Sequence, residues 1–173
     1  MKHKHSYKKL AEFGRTLLDN TSYTSGLPKI SEYAKEVIGA HRCSIFIYDL
    51  QKNELWTTLS DNIEKIIIPS NKGLVGHTIK ERKPLIANNP YKDPHFLPDI
   101  DKESGYITKN IVTAPIFNSN REIIGVLELL NKEEDFDNSD VKFMIFFAHY
   151  ISGFLELINL RIIEDQKNGE SIK

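Results

Sequence analysis

Residues 122–130, with the sequence Glu-Ile-Ile-Gly-Val-Leu-Glu-Leu-Leu, decide the fold. Alternate side chains of a pleated strand share a face, and both faces of this strand are apolar except at Glu128. A buried carboxylate is costly unless it is paired or hydrogen-bonded. We therefore expect Glu128 either to accept a hydrogen bond from a molecule in a polar cavity, or to sit at a strand end, reaching solvent or a nearby lysine.

The segments around this strand predict an antiparallel sheet with helices at its ends. Short runs of β-branched and aromatic residues separated by polar turns are typical of hairpins, whereas apolar residues at helical spacing indicate amphipathic helices. The predicted strands are residues 43–48, 55–59, 65–68, 111–117 and 122–130. The predicted helices are residues 6–19, 28–38, a short one after Gly73, and about 140–164. This order gives an α+β fold with the helices packed on one face of the sheet.

Residues 88–105 form the longest aperiodic stretch, with three prolines and several Asp and Asn residues. A long irregular segment in a compact domain is often a binding loop. We divide the chain into an N-terminal helix and linker (1–26), a central domain that includes the long last helix (27–165), and a disordered tail (166–173).

Composition excludes several functions. The net charge of −1 provides no field to hold a nucleic acid or an acidic membrane surface, and no apolar segment is long enough to cross a bilayer. Cys43 is the single cysteine and is expected to be a buried structural thiol. The histidines lack the spacing of a helical metal site, so no metal is expected. With no nucleophile motif either, we predict a cytoplasmic protein that is not an enzyme.

Two further patterns concern packing. Ser44 shares a strand face with aromatic residues, either as a ligand contact or as a small core filler bonded to backbone. The last helix carries two apolar stripes, only one of which can cover the sheet. The other needs a partner, either the first helix or a second subunit, and we expect a parallel homodimer through the end helices. The stripes are Phe143, Phe147, Tyr150, Phe154 and Leu157, and Val141, Ile145, Ala148, Leu155, Ile158 and Ile162.

The chain resembles the GAF domain, a small-molecule sensor module, over roughly residues 27–160. The segments that carry the resemblance are Arg42–Phe46, Ile68–Pro69 with Lys72–His77, Asn89–Phe96, Gly105–Asn110 and Ile124–Lys132. The resemblance is strongest to the cyclic-nucleotide-binding branch, of the phosphodiesterase and adenylyl cyclase type. It implies a ligand pocket under loops, on the sheet face opposite the end helices.

The resemblance also implies roles for individual residues. Ligand contacts in that branch match Ser44, Ser60, Asp61, Leu74, Val75, Asp101, Ser104, Thr108 and Glu128. A structural motif matches Asn131, Lys132, Phe136 and Asp140, in which the lysine and the last aspartate form a salt bridge. Ser60 replaces a purine-stacking aromatic residue, Ser104 replaces a threonine, and Val141 replaces the motif's final acid.

These residues predict a sensory domain without a resident cofactor, whose ligand is a cyclic nucleotide or another small polar anion held under residues 88–105. Backbone amides at Leu74 and Val75, near a helix start, are suited to a phosphate or carboxylate. Methionine sulfoxide reduction in this family uses several cysteines, which argues against that activity here. Signalling would pass through the end helices to a separate effector protein. The alternative is a dimerisation module with a vestigial pocket and no ligand.

Overall fold

The computed structural model describes residues 8–9, 11–15, 23–57 and 66–167, and its central element is a six-stranded antiparallel sheet. The strands are β1 (Ala40–Asp49), β2 (Glu54–Thr57), β3 (Ile66–Pro69), β4 (Leu85–Ala87), β5 (Ile111–Phe117) and β6 (Ile123–Lys132). Their order is β3-β2-β1-β6-β5-β4. The predicted α+β class is confirmed.

The two longest strands, β1 and β6, lie at the centre and pair with each other. Glu128 of β6 lies opposite Ser44 of β1 on one side and opposite Thr113 of β5 on the other. Directly opposed residues of antiparallel strands present their side chains on the same face. The sheet register therefore places these three side chains in one row.

Helices cover both faces of the sheet, but unequally. They are α1 (Tyr23–Ile38), α2 (Gly73–Glu81), α3 (Pro98–Ser104) and α4 (Asn138–Lys167). The main core lies between α1, α4 and one sheet face, where Ile30, Phe147 and Leu127 are fully buried. Residues 11–15 are helical, and Phe13 stacks on Tyr33 at a ring distance of 4.6 Å. The end helices thus share one face, as predicted.

Cys43 lies in this core and is buried, as expected for a structural thiol. Its burial raises the pKa of the thiol to about 12. A thiol with such a pKa is protonated at neutral pH and is a poor nucleophile.

The secondary structure differs from the sequence prediction at three places. Strand β4 was not predicted, because three residues at a sheet edge are too short to show periodicity. The segment predicted to be irregular contains a 3₁₀ turn (Pro90–Lys92) and α3. Helix α1 begins at Tyr23 and includes Pro28, so residues 23–26 are not linker. Gly26 of this helix is buried so close to Phe154 that a Cβ atom would lie 2.2 Å from the ring. Any larger residue would clash with the Phe154 ring where it lies, so this packing requires glycine at position 26.

The long helix α4 is confirmed, but its buried stripe differs from both predicted ones. The side chains that face the core are Met144, Phe147, Ala148, Ile151 and Leu155. Ile145 and Leu157, one from each predicted stripe, are 50% and 63% exposed. Which stripe is buried depends on the rotation of the helix against the sheet, and the helical period alone does not fix that rotation. The helix also continues past the predicted domain end at residue 165.

Residues 168–173 of the predicted tail, and half of the predicted first helix (6–19), lie outside the described residues. None of the helices within the described ranges is both long and apolar enough to span a membrane.

Candidate functional site

A cavity of about 80 Å³ lies on the sheet face opposite α1 and α4. Its floor is formed by β1, β3, β5 and β6, one wall by the start of α2, and its cover by residues 96–108. Most of its lining is apolar, contributed by side chains such as Phe46, Ile100 and Leu130. The predicted contact residues that line it are Ser44, Leu74, Val75, Asp101, Ser104, Thr108 and Glu128. Ser60 and Asp61 lie outside the described residues.

Glu128 is the most unusual of these residues. Its carboxylate lines the cavity and has no hydrogen-bond or ion-pair partner within the described part of the chain. Burial, together with repulsion from Asp101, raises the pKa of Glu128 to about 7. The nearby lysine Lys132 is engaged by Asp140 instead. A group that is half-protonated near neutral pH can accept or donate a hydrogen bond to a bound molecule.

Ser44 is buried beside Glu128 and opens onto the cavity. Its hydroxyl has no partner among the described residues, and in particular it does not bond to backbone there, as a core filler would. The hydroxyl and the carboxylate are adjacent across β1 and β6. Together they form a small polar area on an otherwise apolar floor.

Asp101 has a different role from Glu128, because its carboxylate is fully engaged. It accepts hydrogen bonds from the Tyr91 hydroxyl (2.6 Å), the Thr108 N–H (2.7 Å) and the Thr108 hydroxyl (2.8 Å). The Ser104 hydroxyl likewise donates to the Ile100 carbonyl at 2.8 Å. These three predicted contact residues therefore brace residues 88–108, the segment that covers the cavity, which we call the lid.

The start of α2 supplies a second polar feature. Gly73, Leu74 and Val75 line the cavity, and the residue before them, Lys72, makes no side-chain cap. The first N–H groups of a helix have no acceptor within the helix, and they carry a partial positive charge. This wall can therefore accept an oxygen of an anionic or carbonyl group.

The lid is attached to the rest of the domain at both ends. At one end, Asn88 donates to the Phe136 carbonyl and accepts from the Phe136 N–H. In its middle, the His95 ring stacks on His77 of α2 with a ring distance of 3.6 Å. At the other end, the Asn131 side chain donates to the Ile107 carbonyl. Lid position is thus coupled to α2 and to the chain between β6 and α4.

The residues of the predicted structural motif lie together at that β6–α4 connection. Lys132 Nζ is 2.8 Å from Asp140 Oδ2, and their side chains are only 18% and 8% exposed. Phe136 is buried, and Asn131, with a positive φ of 57°, also accepts a hydrogen bond from the Lys109 N–H. This arrangement fixes the start of α4 relative to the sheet.

Asp137 caps α4. Its carboxylate accepts hydrogen bonds from the N–H groups of Asp140 and Ser139, which lower its pKa. Its side chain replaces the missing acceptors of the first helical turn.

Sequence reasoning missed Arg42 as a member of the site. Arg42 lines the cavity, and its guanidinium lies 3.7 Å from the centre of the Tyr106 ring. The signal was present in the sequence, because Arg42, Ser44 and Phe46 alternate along β1 and so share the face that became the floor. No cluster of metal-binding side chains is found in the described ranges.

Replacing Asp101 by asparagine is expected to loosen the lid. Hydrogen bonds to a charged group contribute about 1.5–3 kcal/mol each, so losing the charge should accelerate amide hydrogen exchange of residues 88–108 by at least about tenfold. Hydrogen-exchange mass spectrometry checks this. Tyr91→Phe, which removes one of the three bonds, should have a smaller effect. Unchanged exchange in the Asp101→Asn variant would show that this carboxylate does not brace the lid.

The fold agrees with comparisons to known proteins. Residues 25–155 match the model of the GAF domain. The chain belongs to this family, whose members are commonly small-molecule-binding regulatory domains.

One curated relative is the dual 3′,5′-cyclic-AMP and -GMP phosphodiesterase 11A of Takifugu rubripes, which is 30% identical over 134 residues. The match covers 70% of this chain but 15% of the relative, so the chain corresponds to a small part of that protein. This similarity is consistent with the cyclic-nucleotide branch of the family.

Two solved structures share the fold at low sequence identity. The GAF domain of the Acinetobacter phosphoenolpyruvate-protein phosphotransferase has a TM-score of 0.75 at 16% identity, covering 90% of this chain and 96% of that one. The free methionine-R-sulfoxide reductase of Neisseria meningitidis, solved with its substrate, has a TM-score of 0.71 at 19% identity, covering 85% and 86%. The fold therefore occurs in an enzyme as well as in a GAF domain.

Proposed function

We propose that this chain is a non-catalytic sensor that binds a small polar ligand in the cavity under the lid. The observation that carries the proposal is the Glu128 carboxylate, which lines the cavity without a partner in the described part of the chain. A buried polar group without a partner costs free energy. A ligand that donates a hydrogen bond to Glu128 would remove that cost, and the Ser44 hydroxyl and the α2 amides offer further contacts.

The ligand must be compact, or the lid must move to admit it. Pockets for small molecules usually measure about 300–1,000 Å³, whereas this cavity measures about 80 Å³. We expect the lid to open for entry and to close over the ligand. Because the lid is bonded to Phe136 and Asn131, its movement would be transmitted to the start of α4. A ligand changes the helix arrangement only if it binds the two arrangements with different affinity.

Cyclic GMP and cyclic AMP are the first ligands to try, in view of the similarity to phosphodiesterase 11A. Without an aromatic residue at Ser60, the base would lose a stacking partner worth about 1–3 kcal/mol. We therefore expect weaker binding than in a site that has the aromatic residue.

Calorimetry with both nucleotides tests the proposal, using the wild type, Glu128→Gln and the control Glu122→Gln on the exposed turn before β6. The Glu128→Gln variant is expected to bind at least about tenfold more weakly, because a good acceptor is lost, while the control should match the wild type. Absence of heat with either nucleotide at millimolar concentration would retire the choice of cyclic nucleotides. Native mass spectrometry of freshly purified protein then searches for another retained molecule.

The alternative function, an interaction module with a vestigial pocket, is favoured by the small cavity and by the internal bonding of Asp101, Ser104 and Thr108. Native mass spectrometry distinguishes the two functions, because an interaction module with a vestigial pocket is expected to retain no small molecule.

We also propose that the chain forms a parallel homodimer through its end helices. Leu157, Leu160 and Ile163 of α4 are 63%, 54% and 40% exposed, a large apolar area for a helix in water. Sedimentation should show a dimer for the wild type and a shift to monomer for a Leu157→Glu and Leu160→Glu double variant. A monomeric wild type at high micromolar concentration would contradict the dimer. The cytoplasmic location and the separate effector stay predictions.

A further inference from the structure

Within the described part of the chain, the side chain of Arg42 is a cation that has no anionic partner. Its half-buried side chain lines the cavity, and within the described ranges its guanidinium has neither a carboxylate at ion-pair distance nor a hydrogen-bond acceptor. A guanidinium carries five N–H donors, and these are usually satisfied when the group leaves bulk water. The contact that the structure does provide is with the Tyr106 ring, 3.7 Å from the guanidinium carbon.

The nearest acid in the sheet register does not neutralise it. Arg42 lies opposite Leu130 and Ser44 lies opposite Glu128, so Arg42 and Glu128 are diagonal neighbours on the same face. Diagonal neighbours are about 7–8 Å apart, which long side chains can span. The two charges nevertheless form no ion pair at 4.0 Å or less. The raised pKa of Glu128 agrees with this separation, because a guanidinium in contact would lower it.

The contact with the Tyr106 ring explains why the Arg42 guanidinium does not form an ion pair with Glu128. A guanidinium stacked on an aromatic ring is held by the ring's negative face, and its N–H groups remain available in its own plane. That geometry suits a carboxylate or phosphate, which a guanidinium binds through parallel hydrogen bonds. The floor of the cavity thus presents two groups at separate positions: a cation stacked on an aromatic ring, and a carboxyl group that has no partner among the described residues.

We infer that Arg42 is the specificity-determining residue of the cavity, and that it selects ligands carrying an anionic group together with a hydrogen-bond donor for Glu128. The inference rests on the proposed function and narrows its ligand class. Molecules with a donor but no anionic group, such as nucleosides or amino acid amides, satisfy Glu128 but leave Arg42 without an acceptor. Cyclic nucleotides and compact zwitterions satisfy both residues, whereas polyamines satisfy only Glu128 and are repelled by Arg42.

The experiment compares ligands that differ only in the anionic group. The probes are cyclic GMP against guanosine, and leucine against leucinamide, measured by calorimetry and thermal shift. The proteins are the wild type, Arg42→Gln, Arg42→Lys and Glu128→Gln. Arg82→Gln is the control, because Arg82 also lies over an aromatic ring, that of Phe117, at 5.2 Å but away from the cavity.

In at least one pair, the wild type should bind the member that carries the anionic group about tenfold or more tightly than the member that lacks it. Arg42→Gln should abolish this preference, and Arg42→Lys should retain part of it, because the charge persists without the planar fork. Arg82→Gln should behave as the wild type. Urea unfolding of each variant checks that it is folded. If Arg42→Gln is not folded, the role of Arg42 is decided by whether Arg42→Lys weakens the preference for the anionic group.

Two negative results are distinguishable. If Glu128→Gln weakens binding but the wild type binds both members of every pair equally, the role of Arg42 is overturned while the sensor function stands. The same conclusion follows if the wild type shows a preference that Arg42→Gln leaves unchanged. If no probe binds at millimolar concentration and native mass spectrometry finds no retained molecule, the sensor function fails and the inference fails with it.

Discussion

Replacing Asp140 by alanine is expected to lower the free energy of unfolding by about 3 kcal/mol, because it leaves a largely buried lysine without its partner. Lys132 Nζ lies 2.8 Å from the Asp140 carboxylate, with both side chains shielded from solvent. The same carboxylate accepts the Asp137 N–H at 3.0 Å. One substitution therefore removes an ion pair and a hydrogen bond at the point where β6 connects to α4.

Urea denaturation of the wild type and Asp140→Ala measures this loss. The matched control is Lys102→Ala in α3, whose ion pair with Asp99 has a similar distance of 2.9 Å but side chains that are 73% and 78% exposed. Exposed pairs contribute at most about 1 kcal/mol, so the control should change stability little. Equal effects of the two variants would show that burial does not strengthen the Lys132–Asp140 pair, and its assignment as a structural anchor would be withdrawn.

The sequence predicted those parts of the fold that depend on local periodicity. The apolar, β-branched runs in β1 and β6 and the helical spacing in α4 give strong signals because these elements are ten residues long or longer. Strand β4 was missed because three residues show no period, and its place depends on β5 beside it. The buried side of α4 was wrong because several apolar stripes fit one helix, and only contact with the sheet selects among them.

The same difference, between features that a local pattern predicts and features that depend on tertiary contacts, applies to the site. Glu128 could be singled out because it is the one charged residue within the apolar run 123–130. The hydrogen bonding of Asp101 could not be predicted, because its partners Tyr91 and Thr108 lie ten and seven residues away in an aperiodic segment. Arg42 was overlooked although the alternation of β1 places it on the cavity face. Arg42 is significant because its guanidinium has no anionic partner among the described residues. A sequence does not show which charged side chains fail to form an ion pair.

Replacing Glu128 by glutamine is expected to stabilise the protein above neutral pH and to have little effect at acidic pH. Burial and the charge of Asp101 raise the pKa of Glu128 from 4.5 to about 7. Between these values the folded state binds more protons than the unfolded state, so the free energy of unfolding of the wild type falls as pH rises. Glutamine does not titrate, so this loss is absent from the variant.

The difference in stability between Glu128→Gln and the wild type should therefore grow from near zero below about pH 4.5 to about 2–3 kcal/mol above about pH 7. Urea unfolding of both proteins across that range measures it, with Glu122→Gln controlling for the removal of a carboxylate in general. A difference that does not change with pH would show that Glu128 is not desolvated, and the cavity would lose the group on which ligand binding was argued. A growing difference would mean that the wild type retains, at neutral pH and above, a carboxylate that weakens its own fold. Stability alone would favour glutamine at position 128. A destabilising glutamate at this position is explained if its carboxylate binds a ligand.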